Sequence, residues 1–398
     1  MMDGYPKLEI EENIRFFMTI QNRKKRMSSS NIGNSRSFLN FLHSWKNLHP
    51  AILYPRFNTP QYNPKNFISP IELAATHGWS ISGAARFLRD CKASCPSSEL
   101  ILKCLREVPP DIMEDFINKS LKSYYDALPR KIRTNIEKKG ILIIDFHVDP
   151  YYGNVNNSDI KKGQLKHSTN KGYNYLTAEI HFDTFNFTIA VIHRPPGEKI
   201  YNLFLQLYKR VESVLKPNLI LMDGEFPTVR VLRKLEEMNI PCIARKNMTQ
   251  RVKDAPGHYY DMKPEKWNRK WHNVEIRDSW IKKLIVPIEV TSQFVNGNIK
   301  ALMKSSFLDI TPKQADKLYK CRFNIETGYR DKHLFQPRTC SVNLSIRLFL
   351  FLIAIYFWNL WQLFRYQAGL LKFKNNASGV TFIQSRALRL KILLNIFF

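Results

Sequence analysis

The chain has 398 residues, with 61 Lys and Arg against 34 Asp and Glu and a formal net charge of +27. Hydrophobic residues are 44% and aromatics 13%, which excludes bulk disorder and a collagen-like chain and suits one large domain or about two to three ordinary ones. A chain this cationic repels itself unless it meets a polyanion. Nucleic acid is therefore the first expected partner and an anionic membrane surface the second.

The six cysteines are irregularly spread, which argues against a disulfide scaffold and for a reducing, cytoplasmic setting. Cys91, Cys95 and Cys104 cluster downstream of His77. They lack the paired C-x-x-C arms of a zinc site and read as ordinary thiols. The acidic, polar start MMDGYPKLEIEEN shows no signal peptide.

Residues 1–65 read as a basic, partly disordered arm, with Arg23-Lys24-Lys25-Arg26 followed by serines and scattered prolines. Residues 66–137 read as a helical DNA-binding region. Within it, Pro70 to Leu88 has the form of a helix-turn-helix. Ala74 and Ala75 allow close helix contact, Gly78 takes the turn, and Ser80 or Ser82 caps the second helix. Arg86 and Arg89 then project from that helix toward DNA, although any short helical hairpin carries such residues.

From residue 138 to 366 strands and helices alternate, the pattern of an α/β domain. Ile141–Ile144 is a short apolar strand ending at Asp145, with a polar loop after it. Leu176–Phe182 and Phe187–Ile192 form a hairpin through Asp183. Ile200–Leu215 is an amphipathic helix. Asn218–Met222 is a strand that also ends in an acid, Asp223. The helix Thr228–Met238 and the strand Ile240–Ala244 follow, the latter running into Arg245-Lys246. Residues 247–308 read as a β-rich insertion with strands at Lys283–Val290 and Lys300–Leu308. Thr311-Pro312 then opens a helix with Gln314 at capping-box spacing, and this helix carries Tyr319 to Lys332.

Leu348–Trp358 is an unbroken apolar run, but shorter than the roughly 20 residues of a bilayer span. Asn359 and Gln362 interrupt it. A buried helix over about Val342–Tyr366 is expected, and no membrane contact. From Lys332 onward there is no Asp or Glu, so residues 367–398 read as a basic, phosphate-facing tail.

Carboxylates beside buried strands are costly unless something compensates them. A divalent metal does so, and Mg²⁺ takes a few carboxylates while leaving room for water and phosphate oxygens. Two such ions about 4 Å apart can clamp attacking and leaving oxygens. Asp145 and Asp223 are expected on neighbouring strands at one edge of the sheet. Glu326 is the best third acid, on a helix stripe shared with Tyr319, Arg322, Tyr329 and Arg330. Arg322 and Arg330 could contact phosphate; an exposed Arg–Glu–Arg ladder is the plain reading of the same stripe. Lys246 stands at a strand end where it could reach phosphate or simply be solvated. Among rival acids, Asp149 precedes Pro150 and is expected on the loop, Glu225 lies two past Asp223, Asp183 suits a turn, and Asp331 falls off the Glu326 face. His147 and His167 read as polar strand or loop histidines.

These residues carry a resemblance. Tyr319-Lys-Cys-Arg322-Phe-Asn-Ile-Glu326, Ile-Ile-Asp145-Phe-His-Val-Asp-Pro-Tyr-Tyr-Gly153 and Leu-Ile-Leu-Met-Asp223-Gly-Glu-Phe226 resemble DDE transposases of bacterial and archaeal insertion sequences. The likeness is to the branch with the signature Tyr, two residues, Arg, three residues, Glu, six residues, Lys. His333 occupies the Lys position, with Lys332 one residue early, and Gly224 stands where that branch often has Arg. The resemblance implies an RNase H-like mixed sheet flanked by helices, with a β-rich insertion before the last catalytic helix and an α-helical N-terminal DNA-binding region. It implies Asp145, Asp223 and Glu326 as catalytic metal ligands for two Mg²⁺, with Mn²⁺ able to substitute. Tyr319, Arg322, Arg330, Lys332 and His333 join Lys246, Arg86 and Arg89 as expected DNA contacts. The implied activity is cleavage of terminal inverted repeats and strand transfer to target DNA, by a homodimer on paired ends at the bacterial or archaeal nucleoid. Cleavage in this branch commonly passes through a DNA hairpin, with a base flipped onto an aromatic of the insertion. Trp267, Trp271 and Trp280 are the candidates, and at least two of them are expected to pack the insertion's own core. The competing reading is a DNA-binding protein that has lost catalysis.

Overall fold

The structure is a computed structural model and describes residues 61–62, 64–126, 128–153, 158–166, 169–182, 185–246, 271–278, 284–295 and 298–367. Nearly all of the expected basic arm, the basic tail, Trp267, Trp280, His167 and Asp183 lie outside those residues.

In chain order the elements are α1 (Pro64–His77), α2 (Ile81–Asp90), α3 (Ser98–Arg106), α4 (Pro110–Asp126), α5 (Arg130–Lys139), β1 (Ile141–Pro150), β2 (Lys161–Lys166), β3 (Thr169–Phe182) and β4 (Phe185–His193). Then come α6 (Ile200–Glu212), β5 (Ile220–Met222), α7 (Val229–Glu237), β6 (Cys242–Lys246), β7 (His272–Arg277), β8 (Ile285–Val295) and β9 (Asn298–Ser305). The last are α8 (Pro312–Tyr319), a 3-10 turn (Lys320–Arg322), α9 (Phe323–His333) and α10 (Leu344–Gln367). Contacts divide the chain into two units. Among the described residues, one takes those up to Phe116, those in Ala127–Pro129 and those from Asp331; the other takes those in Ile117–Asp126 and Arg130–Arg330.

In the first unit α1 begins at Pro64, six residues before the expected start, and carries Pro70 within it. A proline in the first turn costs no hydrogen bond, whereas Pro70 forfeits one. The helix closes at Gly78, whose φ of +64° is the left-handed conformation that glycine adopts without strain. The Trp79 N–H then reaches back to the Ala74 carbonyl at 2.9 Å, as in a Schellman turn. Ser80 caps α2 by accepting from the Gly83 N–H at 3.1 Å. Ile81, Ala84, Ala85 and Leu88 turn inward, and Arg86 and Arg89 face solvent. The Arg338 N–H bonds the Trp79 carbonyl, so the segment after α9 pins the turn between α1 and α2. Helix α10 packs against α1 and α3. It is longer than the apolar run within it: Leu344–Gln362 is long and apolar enough to cross a membrane, and all of it is buried. Arg347 bonds the Ser341 carbonyl near its start, and Asn359 and Gln362 are buried too. Cys95 and Cys104 are buried, and Cys91 is exposed.

Among the described residues the second unit has one mixed sheet of nine strands, in the order β2-β3-β1-β5-β6-β9-β8-β7 with β4 also paired to β3. β1 runs antiparallel to β3 and parallel to β5, which is parallel to β6. β9, β8 and β7 add antiparallel strands beyond β6. The expected insertion thus extends the main sheet, with three strands among the described residues; β7 was not foreseen. Helices α6 and α8 pack on the sheet. The apolar runs Leu142–Ile144, Ile220–Met222 and Cys242–Ala244 are buried, as central strands covered on both faces must be.

Further boundaries differ from expectation. β1 continues past Asp145 to Pro150, so Asp145 lies mid-strand, and Asp149 is a buried strand residue instead of a loop acid. Lys161 and Lys162, read as loop, belong to β2. Polar residues on a strand face hide it from an apolar-run reading.

Asn118 on α4 closes the outer edge of β4. Its side chain donates to the Val191 carbonyl at 2.7 Å and accepts from the Val191 N–H at 3.0 Å, replacing a neighbouring strand. Asn118 is buried, so Asn118→Leu leaves both backbone groups without partners in a dry site. A loss of about 2–4 kcal/mol is expected in urea unfolding.

Candidate active site

Three parallel strands align the site. Ile144 pairs with Met222, and Met222 with Ala244. The next residues, Asp145, Asp223 and Arg245, therefore stand in a row at one level of the sheet. The residues two positions earlier, Ile143, Leu221 and Ile243, point to the same face, because strand side chains repeat every second residue. They form one core cluster with Ala315, Tyr319, Ile325 and Tyr329. Helices α8 and α9 thus cover the face on which the acids stand.

Thr311 caps α8 with the expected capping box: its hydroxyl accepts from the Gln314 N–H, and Gln314 accepts from the Thr311 N–H. The expected single helix is broken at Lys320–Arg322, where a 3-10 turn joins α8 to α9. Arg322 projects from that turn between the acids. Its Nη1 donates to Asp145 Oδ2 at 2.9 Å, with only 7% of the Arg322 and 10% of the Asp145 side chain exposed. Its Nη2 lies 4.0 Å from Asp223 Oδ1, whose side chain is 38% exposed. Asp145 Oδ1 also accepts from the Phe146 N–H at 2.9 Å.

Aromatic rings hold this arrangement. The Tyr319 ring lies 5.6 Å and the Phe323 ring 5.2 Å from the guanidinium carbon. Burial pushes the Tyr319 phenol up to about 12; the Arg322 charge opposes this and the Asp223 charge adds to it. Phe146 stacks on Phe226 with centroids 4.6 Å apart, and the Arg194 guanidinium sits 4.0 Å over Phe146. Arg194 also pairs with Glu225 at 3.2 Å. This stack ties the residue after Asp145 to the turn after Asp223, where the Phe226 N–H bonds the Asp223 carbonyl.

Tyr329 fixes α9 to the sheet. Its hydroxyl meets Thr177 Oγ1 at 2.5 Å and donates to the Asp145 carbonyl at 3.4 Å, and its ring lies 4.4 Å from that of His147. Glu326 sits on α9 four residues after Arg322 and three before Tyr329; its side chain lies outside what the structure describes. Among the described residues no three His, Cys, Asp or Glu side chains form a metal-holding group. Two carboxylates at one level are nevertheless donors of the kind a hard divalent ion takes. Tyr329→Phe keeps the ring and removes the bonds to Thr177 and Asp145. A loss of about 1–3 kcal/mol is expected in urea unfolding, the scale of a buried hydrogen bond removed and its Thr177 partner left unpaired.

The remaining predicted residues fall in different places. Arg330 is exposed on α9. Burial lowers the Lys246 ammonium pKa at the end of β6. In the first unit, Lys332 is enclosed at 1% exposure and His333 Nδ1 bonds Gln336 at 2.8 Å. There too Arg86 is exposed, and Arg89 donates to the Pro96 carbonyl at 3.3 Å. Trp271 is part of the core packing, donating to the Ile310 carbonyl at 2.7 Å with Lys304 5.2 Å over its ring. The Arg194–Phe146–Phe226 stack and Thr177 escaped the sequence reading. Their only signals were an arginine directly after a strand and a threonine amid larger side chains.

No curated protein sequence matches the chain. A cryo-EM structure of the piggyBac transposase synaptic complex with hairpin DNA is similar, with a TM-score of 0.50 and 14% identity over 84% of this chain and 70% of that one. At that identity the likeness is one of fold. Residues 136–357 match the transposase DDE domain family, a span that holds Asp145, Asp223, Arg322 and Glu326. It is more than half of the chain, and the chain belongs to that family.

Proposed function

We propose that the protein cuts the ends of an insertion sequence and joins them to target DNA, with Asp145, Asp223 and Glu326 as the metal-binding acids. The observation that carries this reading is the placement of Asp145 and Asp223 at one level of two parallel strands, bridged by Arg322. Glu326 enters from its place in the Tyr-Arg-Glu signature, one helical turn beyond Arg322. This signature favours the bacterial and archaeal insertion-sequence branch, with His333 in place of its lysine.

Bound Mg²⁺, or Mn²⁺ in its place, supplies activation of the attacking oxygen and charge neutralisation at phosphorus. The three acids would hold these ions through their carboxylate oxygens. Arg322 offers the planar fork that matches a phosphate, and Arg330 adds charge from the exposed side of α9. Tyr319 is buried, with its ring 5.6 Å from the Arg322 guanidinium carbon, so its part is to position Arg322 and not to touch phosphate. Water attacks phosphorus to free a 3′-hydroxyl, which then attacks the target strand. No covalent protein intermediate is needed. Lys246 and the exposed His333 add backbone contacts, whereas Lys332, enclosed at 1% exposure, is not a DNA contact. Arg86 and Arg89 on α2 carry binding of the terminal repeat. The captured hairpin-DNA complex of the fold neighbour supports DNA as the ligand, and paired ends call for a homodimer.

The test is incubation of the purified protein and Mg²⁺ with a duplex carrying the element's terminal repeat. Metal-dependent nicking at the repeat boundary is the expected result. Tight, salt-sensitive binding without nicking would instead indicate a DNA-binding relic.

A further inference from the structure

We propose that Arg322 is a resident counter-cation of the acid pair: without DNA its guanidinium keeps Asp145 and Asp223 from divalent metal, and a DNA phosphate draws it away. The inference rests on the reading of these acids as metal ligands and adds an order of events to it.

Two carboxylates at one level of adjacent parallel strands repel each other, and Asp145 is nearly buried. Arg322 compensates both, at 2.9 Å and 4.0 Å, from a side chain only 7% exposed. A divalent cation and this guanidinium draw on the same carboxylate oxygens. The guanidinium is also poised to leave. It projects from a 3-10 turn at a break between two helices, and it adjoins Phe323, a ring that is 49% exposed. A phosphate offers two oxygens to the planar guanidinium fork, which here meets Asp145 through Nη1 alone. DNA binding and metal loading then become coupled, and the coupling is reciprocal.

The test is calorimetric titration of Mn²⁺ into the DNA-free, full-length protein, comparing wild type, Arg322→Gln, Arg322→Lys and Asp223→Asn, with circular dichroism to confirm folding. Arg322→Gln is expected to bind Mn²⁺ about tenfold or more tightly than wild type, the scale of a lost charge-assisted contact. Arg322→Lys, which keeps the charge but not the fork, is expected in between, and it carries the comparison if the glutamine variant does not fold. Adding duplex DNA should tighten Mn²⁺ binding in the wild type and have little effect in Arg322→Gln. An Arg322 that only contacts phosphate predicts unchanged Mn²⁺ affinity in the DNA-free variants, and that result would overturn the proposal alone. With duplex DNA present, a wild-type Mn²⁺ affinity in Asp223→Asn would overturn the reading of the acids, and the proposal with it.

Discussion

Asp145→Asn and Asp223→Asn are each expected to lower metal-dependent nicking by at least about a thousandfold, because the acids act as a unit. The two variants should separate in stability. Asp145 is the near-buried partner of Arg322 at 2.9 Å, and asparagine there leaves a buried guanidinium without its countercharge. That costs about 1–3 kcal/mol, visible as a lower melting temperature. Asp223 is more exposed and stands 4.0 Å from the same guanidinium, so its amide variant should melt close to wild type. Two inactive proteins with different melting points are thus the expected outcome. Nicking at the wild-type rate in either would remove that carboxylate from the reaction.

The second large effect is expected in the first unit. Ile353 is fully buried near the middle of α10, a helix with no Asp, Glu or Lys along its length. Ile353→Asp places a carboxylate at a position with no access to water. A loss exceeding about 4–5 kcal/mol is expected, enough to unfold the unit under ordinary conditions. Loss of the soluble, cooperatively melting protein is the readout. Ile353→Val, which removes one methyl group, should cost about 0.5–1.5 kcal/mol and keep the fold.

The parts of this fold legible in the sequence were those announced by local contrast. Ile141–Ile144 and the strand before Asp223 stand out because four apolar residues meet one acid. The Thr311 cap stands out because proline and glutamine occupy the positions its box requires. Where polarity follows the strand period the contrast disappears: His147 and Asp149 continue β1, yet they look like loop. Val274 and Ile276 alternate with exposed neighbours and could have revealed β7, but the segment is short and was read as part of an irregular insertion. The break at Lys320–Arg322 has neither glycine nor proline to mark it. The Asn118 bonds to Val191 and the rings around Phe146 join distant parts of the chain, and no local pattern records them.

The makeup of the first unit bears on synthesis. Its opening helices leave the ribosome early, yet α10, against which α1 and α3 pack, is made only after the whole sheet of the second unit. The sheet can close on its own residues while those first helices wait with an apolar face uncovered. A stop codon or frameshift before Leu344 would therefore cost the protein its N-terminal helices as a folded unit, although every residue of them had been made.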